Sequence, residues 1–195
     1  KKHQSLLIYY SSPEAFGEQA EMPLSNFSES VFTPANSHQR HSYGASKYLG
    51  EIICQHATVD GLQVRIVRPY NVYGARHKAG LDGQVVAMML DSDPIQIHGD
   101  GKQTRSFTWI GDVIEGILKV QESDVVSGSA YNLGSAEEVT IEYLAKLVSG
   151  ITGAGIIYVR GNHGDSKRRL PDLSANLEID WSSKTSLIQG LSELR

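Results

Sequence analysis

Short apolar runs alternate along this chain with segments whose apolar residues recur at helical spacing, and that alternation restricts the fold more than any other feature. Residues 6–10, 62–68, 131–133 and 156–159 read as strands, and 94–98 reads as a further short strand closed by a turn at 99–101. Between them, 43–58 carries Leu49, Ile52, Ile53 and His56 at helical spacing without an internal proline. Further helices are expected over 81–90, from Asp112 as a cap to about residue 122, and from Thr140 as a cap through 148. Shorter ones are expected over 173–177 and 185–194, while 17–42 and 69–80 read as loop. Strands alternating with helices indicate an α/β architecture with a partly parallel sheet. The run at 6–10 reads as a strand buried on both sides. The 195 residues, 40% hydrophobic and 21% charged, supply a core for one large domain or a main domain with a small appendage.

The formal net charge of -4 argues against nucleic acid as the main partner, although a local basic pocket can still hold a phosphorylated ligand. Cys54 is the single cysteine, so neither an intramolecular disulfide nor a thiolate zinc site is available. His38 and His41 stand three apart with no further ligand cluster, and no metal is expected. No apolar run is long enough to span a bilayer, and a cytoplasmic enzyme is the expectation.

The strongest local feature is YGASK at 43–47. Positions i and i+4 share one helical face, so the hydroxyl of Tyr43 and the ammonium of Lys47 can address one ligand. A positive charge beside a phenol favours the phenolate and makes a tyrosine a usable general base. Ser11 and Ser12 follow the first strand, where residues line the ligand crevice of open α/β sheets. A serine pair there also serves as an ordinary turn or helix cap.

Five segments occur together in one order: YSSPEAFG at 10–17, SYGASKYLGE at 42–51, RPYNVYGAR at 68–76, HGDGKQTRSFTWIGD at 98–112 and KRRLPDLS at 167–174. This set resembles the extended short-chain dehydrogenase/reductases that act on nucleotide sugars. The resemblance implies an α/β fold: the C-terminal part of a Rossmann-like doubly wound sheet with a smaller mixed α/β substrate-binding lobe. Residues 1–80 would hold the later half of the NAD-binding domain, and 81–195 mainly the nucleotide-sugar lobe, with 108–133 returning to the first. It implies NAD as cofactor and a nucleotide-diphosphate sugar as substrate. Ser12 would orient the sugar hydroxyl, Tyr43 would be the base, and Lys47 would hold the nicotinamide ribose. Pro69 and Tyr70 would pass beside the nicotinamide. Asn71 would hold the diphosphate, with Arg105 and Arg168 or Arg169 as the basic residues of the pocket. Asp172 is expected to cap the short helix after Pro171.

The implied chemistry is removal of a hydroxyl proton by Tyr43 while hydride moves from the sugar to NAD, giving a 4-keto sugar. Reduction from the other face gives the 4-epimer; loss of water or of carbon dioxide are the other outcomes. Glu14 matches a glutamate of the 4,6-dehydratases and UDP-glucuronate decarboxylases, but Pro13 stands where dehydratases carry an aspartate. The segment 103–107 and Arg40 resemble the decarboxylases, and the helix at 43–51 resembles the 4-epimerases. The 4-epimerase is the reading taken, and a Glu14 that bonds only backbone amides would suit it. The alternatives are the decarboxylase, the dehydratase, or a non-catalytic sugar-nucleotide-binding fragment or partner subunit. The family's glycine-rich turn after a first strand is not found: the glycines at 150, 153 and 155 follow a helix and precede a strand. An N-terminal half, or a complementary chain, is therefore expected to complete the protein, which the resemblance makes a homodimer.

Overall fold

The computed structural model describes residues 5–18, 21–35, 41–79, 85–161 and 166–194, with His41 as backbone alone. In chain order the elements are β1 (Leu6–Tyr10), α1 (His41–Val59), β2 (Gln63–Pro69), β3 (Val72–Tyr73), α2 (Val85–Leu90), β4 (Ile95–His98) and β5 (Thr104–Ser106). They continue with β6 (Thr108–Trp109), α3 (Ile110–Glu122), β7 (Ala130–Leu133), β8 (Glu138–Thr140), α4 (Ile141–Thr152), β9 (Ile156–Val159), β10 (Arg168–Arg169) and α5 (Leu187–Ser192). Two 3-10 segments, Pro13–Phe16 and Ser174–Ile179, complete the set. The expected α/β architecture with parallel strands is what forms. Arg40 and His38 lie outside the described residues.

β1, β2 and β7 make a parallel sheet in that order, with Tyr10 opposite Val67 and Pro69 opposite Leu133. β2 sits in the middle, and its Val64, Ile66 and Val67 are buried. β1 lies at the edge of this sheet, so Leu7 (47% exposed) and Tyr10 (50%) reach solvent, and the reading of a strand buried on both sides fails for these residues. α1 packs on the sheet through Glu51 and Cys54, rests on the 3-10 turn at Gly44, and leaves Leu49, Ile52 and Ile53 outside. The stripe chosen by helical period thus faces away from the sheet, and His56 is exposed with it. The reason is Tyr9. Its side chain fills the space beneath α1, its hydroxyl reaching the carbonyl of Lys47 at 3.4 Å. A Cβ on Gly50 would lie 1.9 Å from that hydroxyl, so small and polar residues occupy the buried face.

Parallel β4 and β9, with α2, α4 and α5 around them, bury a second apolar cluster that includes Ile95, Ile97, Leu144, Val148, Leu187 and Leu191. Thr140 caps α4 as expected, accepting from the amide of Tyr143 at 3.0 Å, and Gly153 ends it in a left-handed conformation (φ 79). Ser186 and Gln189 form a capping box on α5. Asp112 departs from its expected role. α3 begins two residues earlier, at Ile110, with Trp109 as an N-cap that makes no side-chain bond. The buried Asp112 carboxylate instead accepts from the amides of Lys184 and Thr185 and from the hydroxyls of Ser183 and Thr185, which ties segment 183–185 to the first turn of α3. β10, β5 and β8 form a third sheet in that order, with β10 parallel and β8 antiparallel to β5.

The Gly50 contact gives the first test. Gly50→Ala is expected to destabilise the protein by about 1–3 kcal/mol through overpacking, and Tyr9→Leu should restore part of that loss. Denaturant midpoints of the two single variants and the double variant check it; equal midpoints for Gly50→Ala and the parent would refute the packing account.

Candidate active site

The C-terminal ends of β1 and β2 lie side by side, and the candidate residues gather there. The extended backbone of Ser12 (φ −157, ψ 154) lets its side chain turn back and accept from the amide of Glu14 at 3.2 Å, capping the 3-10 turn at Pro13–Phe16. Because its oxygen accepts that bond, the Ser12 hydroxyl keeps its own hydrogen for a ligand oxygen. Ser11, one residue earlier, points inward and donates to buried Glu51. Both serines are buried, and the pair divides by partner: Ser11 donates to Glu51, and Ser12 accepts from the amide of Glu14.

The helix bearing Tyr43 and Lys47 rests directly on this turn. Gly44 is buried, and a Cβ there would stand 2.3 Å from the carbonyl oxygen of Glu14, so glycine allows the first turn of α1 to approach the 3-10 turn this closely. Tyr43 is half exposed (52%). The Lys47 ammonium lies 5.6 Å from the ring centroids of both Tyr9 and Tyr43 and donates to the carbonyl of Tyr10 at 2.8 Å. Among the described residues Tyr10 supplies its one hydrogen-bond acceptor, which leaves N–H groups for a ligand ribose. The nicotinamide–ribose end of a dinucleotide fits these donors. Its pyrophosphate end finds no glycine-rich strand–turn–helix among the described residues: Gly153 belongs to the end of α4.

The arginines of 167–169 separate cleanly. Arg168 is half exposed and clamps Glu138 through two bonds of 2.6 and 2.7 Å, which holds that carboxyl below the usual carboxylate range, with Thr104 donating to it as well. Arg169 turns the other way and is buried. Its Nη1 donates to the carbonyl of Pro13 at 2.9 Å and its Nη2 to the Glu14 carboxylate at 3.0 Å, while its buried Nε has no partner among the described residues. Glu14 thus carries a side-chain ion pair rather than backbone amides alone.

Asn71, in a left-handed conformation (φ 32), donates its amide to the carbonyl of Ser106 at 2.8 Å, tying the loop after β2 to β5. Arg105 on β5 is half-buried and donates to the carbonyl of Thr104. Pro69 ends β2 at the crevice. Tyr70, expected beside the nicotinamide, is a correction: it is wholly buried, offers no surface to a ligand, and burial pushes its phenol well above the ordinary range. Asp172 departs from its expected capping role: Leu173 is the N-cap of the second 3-10 segment and makes no side-chain cap bond, while the Asp172 carboxylate accepts from the amide of Ser174 at 2.8 Å in a local turn just before it. Sequence reasoning assigned nothing to Glu51 and Arg68. The signal was present: Glu51 follows Tyr43 by eight and Lys47 by four, so it shares their helical face and needs a partner when that face is buried. Among the described residues no cluster of three or more His, Cys, Asp or Glu could hold a metal, and no helix is long and apolar enough to cross a membrane.

Residues 1–134 match the family model described as NAD dependent epimerase/dehydratase family. UDP-glucuronic acid decarboxylase 1 of Arabidopsis thaliana is 32% identical over 202 residues, spanning 100% of this chain and 45% of its own length. UDP-N-acetyl-alpha-D-glucosaminuronate decarboxylase of Bacillus cytotoxicus is 31% identical over 205 residues, spanning 98% of this chain and 63% of its own. Among solved structures, UDP-glucuronic acid 4-epimerase from Bacillus cereus, in complex with UDP-glucuronic acid and NAD, superposes with a TM-score of 0.82 at 27% identity, covering 96% of this chain and 59% of that one. The chain therefore spans about half to two thirds of the length of these relatives.

The two arginines should respond differently to truncation. Arg168→Ala removes an exposed pair and is expected to leave the melting temperature unchanged. Arg169→Ala strands Glu14 and the Pro13 carbonyl and is expected to cost about 1–3 kcal/mol. Thermal melts of the two variants check this, and the reverse order would refute the assignment of Arg169 as the buried member.

Proposed function

Because the chain belongs to the NAD dependent epimerase/dehydratase family, we propose that it forms the catalytic and sugar-nucleotide-binding part of an enzyme that oxidises a nucleotide-linked uronic acid at C4 and decarboxylates it. The observation that carries this reading is the Arg169–Glu14 pair beside Ser12. A neutral hexose brings no charge to that corner. A uronate brings a carboxylate on C5, which this reading places beside the Arg169 guanidinium, and the likeness to the decarboxylases named above supports it.

Ser12 donates to the C4 hydroxyl oxygen and fixes its direction, and Tyr43 takes the hydroxyl proton. Lys47 holds the cofactor ribose and keeps positive charge beside the Tyr43 ring. NAD, when bound, takes the hydride from C4 and later returns it. The resulting 4-keto sugar has a carbonyl β to the C5 carboxylate, so the C5–carboxylate bond can break with its electron pair delocalised onto O4. Tyr43, now carrying the proton, stabilises that oxygen. The C5 carbon is then protonated from water, while the Glu14 carboxylate of the adjoining turn stays paired with Arg169. Asn71, Arg105 and Arg168 form the diphosphate side of the crevice in this reading, and Pro69 lies on the cofactor side.

A second reading, 4-epimerisation through the same keto sugar, is supported by the likeness to the Bacillus cereus 4-epimerase, whose bound sugar also bears a C5 carboxylate. The pyrophosphate end of NAD is assigned to a segment beyond these 195 residues, which would also cover the outer edge of β1. The outward face of α1, with Leu49, Ile52 and Ile53, is assigned to a homodimer interface. A cytoplasmic location suits the lone, buried Cys54.

The deciding experiment supplies NAD and UDP-glucuronate labelled at the carboxylate and follows released carbon dioxide together with the sugar product. Carbon dioxide with a UDP-pentose supports decarboxylation; a labelled C4 epimer supports the second reading; unaltered substrate removes both. Tyr43→Phe is expected to lower the rate by about 100- to 10,000-fold. Ile53→Glu is expected to convert the dimer to monomer in light scattering.

A further inference from the structure

We propose that the buried Glu51–Arg68 ion pair is the positioning device of this active site: it fixes α1 against the ends of β1 and β2, so that Ser12, Tyr43 and Lys47 meet one ligand. The proposal rests on the reading of Tyr43 and Lys47 given above. The two side chains are 11% and 7% exposed, and they join through a bidentate fork, Nε to Oε1 and Nη2 to Oε2, both at 2.7 Å. A fork of this kind fixes orientation as well as distance, which one ammonium–carboxylate contact does not do.

Every other bond of the pair leads to a part of the site. Oε1 of Glu51 also accepts from the Ser11 hydroxyl, the residue between Tyr10 and Ser12. Nη1 of Arg68 donates to Oδ1 of Asn26 at 2.7 Å, and Asn26 in turn donates to the carbonyl of Ala130 on β7. The Arg68 guanidinium lies over the Phe16 ring at 4.7 Å, at the far end of the Ser12-capped turn. Three consecutive residues of one strand end are thereby held: the Tyr10 carbonyl by Lys47, the Ser11 hydroxyl by Glu51, and the Ser12 hydroxyl by the Glu14 amide. Tyr43, Lys47 and Glu51 are spaced i, i+4 and i+8, so a rotation of α1 that loosened the fork would swing all three. Neither Glu51 nor Arg68 needs to touch substrate or cofactor for this.

The test uses the full-length enzyme. Glu51→Gln keeps the shape and removes the charge, Arg68→Lys keeps the charge and removes the fork, and Ser11→Ala removes one bond while leaving the ion pair. Each is assayed for kcat and KM alone and in a Tyr43→Phe background, with thermal melts alongside. Folded Glu51→Gln and Arg68→Lys are expected to lose about 10- to 100-fold in kcat, the scale of a misplacement near one ångström, with KM little changed. In the Tyr43→Phe background the same substitutions should cost less than they do alone, because part of the positioning acts through Tyr43. Where the charge variants fail to fold, Ser11→Ala carries the test, with a smaller fall in kcat at an unchanged melting temperature. Retention of full kcat by folded variants, or a loss that persists undiminished in the Tyr43→Phe background, overturns the proposal. A Tyr43→Phe enzyme as fast as the parent overturns instead the reading of the site on which it stands.

Discussion

The parallel pairing of β1 with β2 places Ser11 beside Arg68 at one end of the sheet, because Tyr10 is held opposite Val67 and the Ser11 amide donates to the Val67 carbonyl at 2.8 Å. A charge at the end of a central strand is costly to bury, and Glu51 from the helix above answers it. Removing one member of such a pair costs roughly 3–5 kcal/mol, since the survivor is left charged and dry. Two apolar residues of equal volume could hold strand and helix together as firmly. What they could not supply is a fixed rotation of α1, and the separation of Ser11 from Ser12 depends on that rotation.

The basic residues sit on a separate sheet, and one of them reaches the turn after β1. β5 and β10 carry Arg105, Arg168 and Arg169 on the small third sheet, which adjoins α4 where β8 runs into its Thr140 cap. Arg169 then joins this sheet to the turn after β1 through Pro13 and Glu14. Leu24 adds backbone contacts to the same junction, donating to the carbonyl of Leu170 and accepting from the amide of Asp172. The crevice is therefore assembled from distant stretches of chain, and one guanidinium spans the join.

Much of the scaffold was legible because its signals are local. β2 follows from its β-branched run and α4 from Thr140 and Gly153, and the Tyr-Lys helix does lie against the strand end that carries the two serines. What escaped depends on neighbours that a local reading does not contain. The period of Leu49, Ile52 and Ile53 marks a face correctly but not the direction it points, and the bulk of Tyr9 beneath Gly50 decides that. Asp112 has the composition of a cap, yet its carboxylate serves a segment some seventy residues later. Tyr70 lies in a motif of the right kind, but packing under Gly134 and Pro171 closes it off. In the arginine run, sequence could say that one member faces solvent, and position across the strand decides that it is Arg168.

That division of the arginines bears on the chemistry. Arg169 and Glu14 together are neutral, so a second carboxylate entering beside them leaves the corner with one excess negative charge held in partly dry surroundings. Such a charge is tolerated while the guanidinium is shared between two acceptors, and it disappears when carbon dioxide leaves. Epimerisation retains the charge throughout, and with it whatever cost the corner imposes. Under the proposed function, a buried pair at this position suits the reaction that discharges it, with C4 first made a ketone by the groups that Glu51 and Arg68 are proposed to align.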